Sequence, residues 1–236
     1  MAAEEDPVTT TGLGCLALNE AWEGFRARGQ LPASTPDPID MGMLLRRQLI
    51  LLQLYRIFAC RPRLPPIRLL VLGVGRDDQF VRLATNPELH VTCVDKPVVV
   101  EETRGRHGRA DFKGMDIVTE IASVEAMVAD CDVLVAEGLF IYLPLEVTQR
   151  ILAAVEQAGA VIVFNMESSA LKRHIPLMIA GFEEISRDAL VKLAEMPAST
   201  WTRLAGHGEG DPNVEVWVCC WVSSRSSHLY QASFPQ

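Results

Sequence analysis

The sequence predicts an α/β protein: a mostly parallel twisted sheet with helices on both faces and an antiparallel pair of strands at its C-terminal end. Three observations predict it. Short apolar-rich runs at 67–72 (IRLLVL), 89–94 (LHVTCV), 131–136 (CDVLVA) and 160–164 (AVIVF) alternate with segments of helical spacing. Strands that are apolar throughout are buried on both faces, which is the mark of a parallel sheet covered by helices. The first run ends at Gly73, and Asp95, Asp116 and Glu137 stand where later strands end. Sheets of this kind bind ligands beyond the carboxyl ends of their strands, so those four positions mark the place to look.

Composition sets the frame. A chain of 236 residues can bury one sizeable core. Hydrophobic residues at 49% and charged residues at 22% exclude a disordered or fibrous protein. No apolar run reaches the roughly 20 residues that span a bilayer, so no membrane association is expected. The acidic, polar opening at 1–11 predicts no secretory leader. Thirty acidic against 22 basic residues give a net charge of -8, which argues against nucleic acid as a partner. The six cysteines, at 15, 60, 93, 131, 219 and 220, lack metal-ligand spacing and most lie in apolar segments. They predict buried thiols in a reducing compartment, no metal, and a cytoplasmic protein.

The elements follow in order. Residues 13–28 carry apolar residues at helical spacing, Leu16, Leu18, Trp22 and Phe25, and the proline-rich stretch 30–38 makes a linker. Residues 41–58 (MGMLLRRQLILLQLYRIF) predict a helix too apolar for a surface, stopped by RPRLPP at 61–66. Strand one is 67–72, and 77–85 suits a helix. Strand two is 89–94, and 99–109 is charged and helical or irregular. A short third strand fits 111–115, and 118–129 has helical spacing. Strand four is 131–136. A helix over 144–157 starts at Pro144 and stops at Gly159. Strand five is 160–164, a helix fits 182–196, and 200–204 with 214–223 makes the antiparallel pair. The expected organisation is an N-terminal helical segment (1–66) capping the substrate side, a ligand-binding domain (67–223) and a C-terminal tail (224–236).

Four motifs carry chemistry. In LLVLGVGRDD (69–78), Gly73 and Gly75 permit a tight turn and close approach of backbone to a ligand. Alone, the pair also suits an ordinary strand–helix turn. Asp78 stands where a dinucleotide fingerprint needs its third glycine, and a carboxylate there repels a pyrophosphate at a helix N-terminus. A nucleoside cofactor without phosphate, such as S-adenosylmethionine, meets no such repulsion. Asp95 closes strand two, where a carboxylate accepts hydrogen bonds from a ribose diol, and it equally suits a surface turn before Pro97. Glu137 closes strand four, where it meets a cation such as the cofactor's ammonium or sulfonium, or serves as a plain loop carboxylate beside a core Tyr142. Arg46 and Arg47 sit in the apolar helix. A buried guanidinium there requires a carboxylate, which the methionine moiety supplies, while one of the adjacent pair suits the helix surface.

These motifs, in this order, resemble the leucine carboxyl methyltransferase family. The family's stretch before the glycine turn is similar to PIDMGMLLR at 38–46, with Gly42 and Arg46 in place. FNME at 164–167, Gly181-Phe182-Glu183 and VWVCCWVS at 216–223 resemble its later motifs, so the likeness runs over about 37–223. The resemblance implies a Rossmann-like class I methyltransferase fold with S-adenosyl-L-methionine as cofactor. It implies Arg46 on the cofactor carboxylate, Gly73 and Gly75 under the methionine part, and Asp95 on the ribose. It implies Asp116 and Ile117 at the adenine and Glu137 as the acidic ligand after strand four. The implied reaction is O-methylation of a carboxylate: the C-terminal leucine of a protein phosphatase 2A-like catalytic subunit, or a small carboxylic acid. Departures are Asp78-Gln79 after the glycine turn, no matching lysine around 15–19, and a shortened stretch at 168–180. They leave two alternatives, a binding protein that retains the cofactor without turnover and a methyltransferase for a small acid or phenol. No catalytic residue is assigned. Arg76, Arg173 and His174 are candidate clamps for a substrate carboxylate that also suit the surface, and His107 and His207 have no nameable partner.

Overall fold

The structure is a computed structural model that describes residues 38–60, 66–76, 79–105, 109–167, 199–205 and 215–222. The first described helix, α1 (Pro38–Cys60), covers the predicted apolar helix. Seven strands follow: β1 (Ile67–Leu72), β2 (Leu89–Asp95), β3 (Asp111–Gly114), β4 (Val133–Ala136), β5 (Val161–Glu167), β6 (Ser199–Ala205) and β7 (Glu215–Val222). Helix α2 (Pro97–Arg104) joins β2 to β3, α3 (Ile121–Ala129) joins β3 to β4, and α4 (Leu145–Ala158) joins β4 to β5.

One sheet holds all seven strands in the order β3-β2-β1-β4-β5-β7-β6. The first five are parallel. Strand β7 runs antiparallel to β5, and β6 antiparallel to β7. The chain steps outward from β1 to β3, then returns to the far side of β1 at β4. The order therefore reverses between β1 and β4, the point at which sheets of this kind form a ligand crevice beyond the carboxyl ends of their strands.

Alternation along β1 builds the two halves of the core. Leu70 and Leu72 pack with Leu134, Ile162 and Phe164 against Val124 and Val128 of α3 and Ile151 and Val155 of α4. Leu69 and Val71 face the other way, with Cys93, Val133, Val135 and Val163, against Ile50, Leu54 and Ile57 of α1. Helix α1 is thus one of the covers of the sheet. Cys93, Cys131 and Cys220 are free and buried, as expected, and burial pushes each thiol up to about 12.

Strand four and the helix before it start later than expected, at Val133 and Ile121, and one element differs in kind. The segment after the glycine turn, expected as a helix over 77–85, is a five-residue 3-10 stretch, Val81–Thr85. Thr85 returns its hydroxyl to the carbonyl of Arg82. Pro87 then holds Asn86 extended at ψ 118, so no second turn forms. Residues 77 and 78, the linker at 30–37, and the expected helices at 13–28 and 182–196 lie outside the described residues. No described helix is long and apolar enough to cross a membrane.

Candidate functional site

The crevice is built from the turns that follow four strands. After β1 the chain rises at once into Gly73 and Gly75, both in the left-handed region at φ +68° and +61°. The N–H of Gly73 donates to the carbonyl of Val94 at 2.9 Å, folding the turn toward the end of β2. A Cβ on Gly73 would stand 2.9 Å from Cδ1 of Leu139. The turn after β1 and the loop after β4 therefore touch, and glycine is what lets them.

Asp95, the last residue of β2, holds this turn. Its Oδ2 accepts the N–H of Gly75 at 2.7 Å and its Oδ1 accepts the N–H of Lys96 at 2.7 Å. A carboxylate offers about four lone-pair positions, so two remain for a vicinal diol. Burial raises the Asp95 pKa from the usual value, while the Gly75 and Lys96 N–H groups pull it back. Helix α2 grips the same turn from the other side. The hydroxyl of Thr103 has the carbonyls of Gly75 at 3.1 Å and Val99 at 2.9 Å as acceptors for its single proton. Arg76, one of the candidate clamps, is buried and bound at two points to Glu102, at 2.6 and 3.1 Å. Its guanidinium braces the turn rather than standing at the surface. Neither Thr103 nor Glu102 was singled out from sequence, because helical residues at 102 and 103 carry no local mark of a contact with residue 75 or 76.

After β3, Oδ1 of Asp116 accepts the N–H groups of Val118 and Thr119, and Glu120 accepts the N–H of Asp116. These bonds close the turn at 116–120 that leads into α3, whose own N-cap position has no side-chain cap. They leave Oδ2 of Asp116 without a partner among the described residues. Ile117 beside it is buried in the core cluster under the edge.

The β4 side joins two residues that the sequence named separately. The Nε of Arg46 donates to Oε1 of Glu137 at 3.1 Å, and the Nε of Arg47 donates to the same oxygen at 3.2 Å. All three side chains are buried, at 10%, 4% and 8% exposure. The cation that meets Glu137 in this structure is thus the protein's own, and neither arginine lies on the helix surface. Gly138 gives its N–H to Oδ1 of Asn165 at 2.6 Å, tying the loop to β5. Asn165 is buried, and its only signal in sequence was its place in the FNME motif. Phe140 packs edge-on against Phe164 just beyond, and Tyr142 is half-buried.

Arg46, Gly73, Gly75, Asp95, Asp116, Ile117 and Glu137 therefore all stand at the carboxyl edge or on the helix leading into it. The donor set fits a nucleoside bearing an amino-acid tail. Carboxylates stand at the ends of β2 and β3, a backbone cradle stands between β1 and β4, and a carboxylate with two guanidiniums stands beyond β4. Asp78, His107, Arg173, His174, Gly181-Phe182-Glu183 and His207 lie outside the described residues. No cluster of metal-binding side chains occurs among the described residues.

No family model matches the chain, and no curated protein matches it. Solved structures do. Magnesium protoporphyrin IX methyltransferase from Synechocystis PCC 6803, crystallised with S-adenosylhomocysteine, superposes with a TM-score of 0.51 at 11% identity, over 87% of this chain and 94% of that one. Phosphoethanolamine N-methyltransferase 2 from Haemonchus contortus, in complex with phosphomonomethylethanolamine and S-adenosylhomocysteine, superposes with a TM-score of 0.50 at 10% identity. That match covers 72% of this chain and about half, 52%, of the other. At such low identity the likeness is one of fold. The chain has the Rossmann-like fold of class I S-adenosylmethionine-dependent methyltransferases.

Proposed function

We propose that the chain is an S-adenosylmethionine-dependent methyltransferase acting on a carboxylate oxygen. One observation carries this reading. The Gly73–Gly75 turn, tied through its own N–H to Asp95, stands at the reversal point of a sheet with methyltransferase order. Asp95 would hold the ribose diol, and the Gly73–Gly75 backbone would lie under the methionine part. Asp116 and Ile117 would border the adenine. Arg46 would take the cofactor's carboxylate and Glu137 its ammonium.

When bound, the cofactor supplies a methyl group on a sulfonium centre already activated for displacement. The acceptor needs little from the protein. A terminal carboxyl has a pKa of roughly 3.3–3.7 and is ionised at neutral pH, so no general base is required. What remains for the chain's residues is to bind, orient and exclude water. Orientation of this kind is worth about 7–11 kcal/mol in well-aligned reactions. The acceptor class rests on the resemblance in sequence: the C-terminal carboxylate of a phosphatase 2A-like catalytic subunit, or a small carboxylic acid.

Titration with S-adenosylhomocysteine by calorimetry tests the cofactor. Saturable heat that Asp95→Ala abolishes is expected, and absence of heat at millimolar ligand would refute the reading. Incubation with methyl-labelled cofactor tests the acceptor. Alkali-labile label on the phosphatase tail or on a small acid is expected, and alkali-stable label would overturn the carboxylate assignment. A second reading, cofactor binding without turnover, draws on Glu137 being held by two protein guanidiniums. Binding with no transfer to any acceptor would favour it.

A further inference from the structure

Successive residues of an α-helix diverge by about 100°, so of two adjacent arginines one ordinarily points away from what the other meets. Arg46 and Arg47 break that expectation. Both are buried, at 8% and 3% exposure, and both place Nε on the same oxygen of a residue 91 and 90 positions later. Below them α1 is apolar toward the sheet, with Ile50, Leu54 and Ile57 fully in the core. Burying a second guanidinium at the edge of that core is costly unless it has a task.

The backbone at Glu137 is already fixed. Every residue of β4 is buried, and Gly138 is anchored to Asn165 at 2.6 Å. The side chain of Glu137 is what remains to be aimed. Two donors converging on Oε1 stop rotation about its terminal torsion and direct Oε2. With Arg46 alone, a ligand carboxylate arriving at that guanidinium would compete with Glu137 for it. A second donor keeps Glu137 in place while Arg46 turns to the ligand.

We infer that Arg47 is a positioning residue that pins Oε1 of Glu137, aiming this carboxylate at the amino-acid end of the cofactor when Arg46 engages the cofactor's carboxylate. The inference rests on the cofactor reading above, and it confines the effect of Arg47 to one end of the ligand. The ribose and adenine side is held by Asp95, Asp116 and the glycine turn, where the two carboxylates accept from Gly75, Lys96, Val118 and Thr119.

Two ligands separate the ends: S-adenosylhomocysteine, which carries the amino-acid tail, and 5′-methylthioadenosine, which lacks it. Calorimetry on the wild-type chain and on Arg47→Met is expected to show about a tenfold loss for the first ligand, with the second held within about twofold. Arg47→Lys keeps the charge but not the planar fork, and falls between. Binding of 5′-methylthioadenosine itself reports that a variant is folded. If Arg47→Met does not fold, Arg47→Lys is read alone, with about a threefold selective loss expected. Parallel loss of both ligands, or an unchanged ratio in the folded variants, overturns the role of Arg47. A wild-type chain that binds neither ligand overturns the cofactor reading instead.

Discussion

The two sides of the crevice are held by different chemistry. On the β2 side the glycine turn is fixed largely through its own backbone: Gly75 gives its N–H to Asp95 and its carbonyl to Thr103. A charged brace there, Arg76 with Glu102, has its carboxylate 40% exposed. On the β4 side a buried carboxylate is gripped by two buried guanidiniums. A hydrogen bond lost on the first side costs about 1 kcal/mol, because water replaces part of it. A partner lost on the second strands charge away from water, at about 3–5 kcal/mol. The shape of the site is therefore set mainly on the β2 side, and its electrostatic character on the β4 side.

The widest gap between the two sides should appear at Glu137. Glu137→Ala leaves two buried guanidiniums without their shared carboxylate. It should cost about 3 kcal/mol in urea unfolding, the low end of that range because both arginines keep other interactions. A loss below about 1 kcal/mol would remove the contrast. Next comes the point where the sides touch. Gly73→Ala forces a Cβ into a left-handed residue and against Leu139, and should cost about 2 kcal/mol. A neutral result would mean the turn can move away from the β4 loop. Thr103→Val should cost about 1 kcal/mol, with Thr103→Ser restoring it, if the hydroxyl is what grips Gly75.

The smallest effect is a pH slope at Asp95. Burial is the largest influence on this carboxyl and raises its pKa above the usual 3.8, against the pull of the Gly75 and Lys96 N–H groups. The folded protein therefore binds more protons than the unfolded chain between that usual value and the raised one. Stability contributed by Asp95 falls as pH rises through this window and is level above it. Asp95→Asn should flatten the profile there. A wild-type slope of opposite sign that this variant removes would mean the two N–H groups outweigh burial.

The same contrast explains what was legible in the sequence. β1, β2, β4 and β5 were visible because each is built on a short apolar-rich run, and α1 and α4 because their apolar stretches are long. Asp95, Asp116 and Glu137 were visible because strand ends in a parallel sheet point to the ligand edge. The joining of Arg46 and Arg47 to Glu137 was not visible. It depends on how α1 lies across the sheet, and no local period links positions so far apart. Thr103, Glu102 and Asn165 escaped for the same reason. The 3-10 stretch at Val81–Thr85 escaped because Pro87 acts on Asn86 just after a pattern that is itself compatible with a helix.

On the proposed reading, a nucleoside with an amino-acid tail lies across the carboxyl edge, its sugar at Asp95 and its tail at Glu137. A crystal structure with S-adenosylhomocysteine tests this most directly. Both ribose hydroxyls should lie within hydrogen-bond distance of Asp95, about 2.7–3.2 Å, with the ammonium on Glu137 and the carboxylate on Arg46. Ligand bound away from the Gly73–Gly75 turn, or bound there with its sugar turned from Asp95, would contradict it.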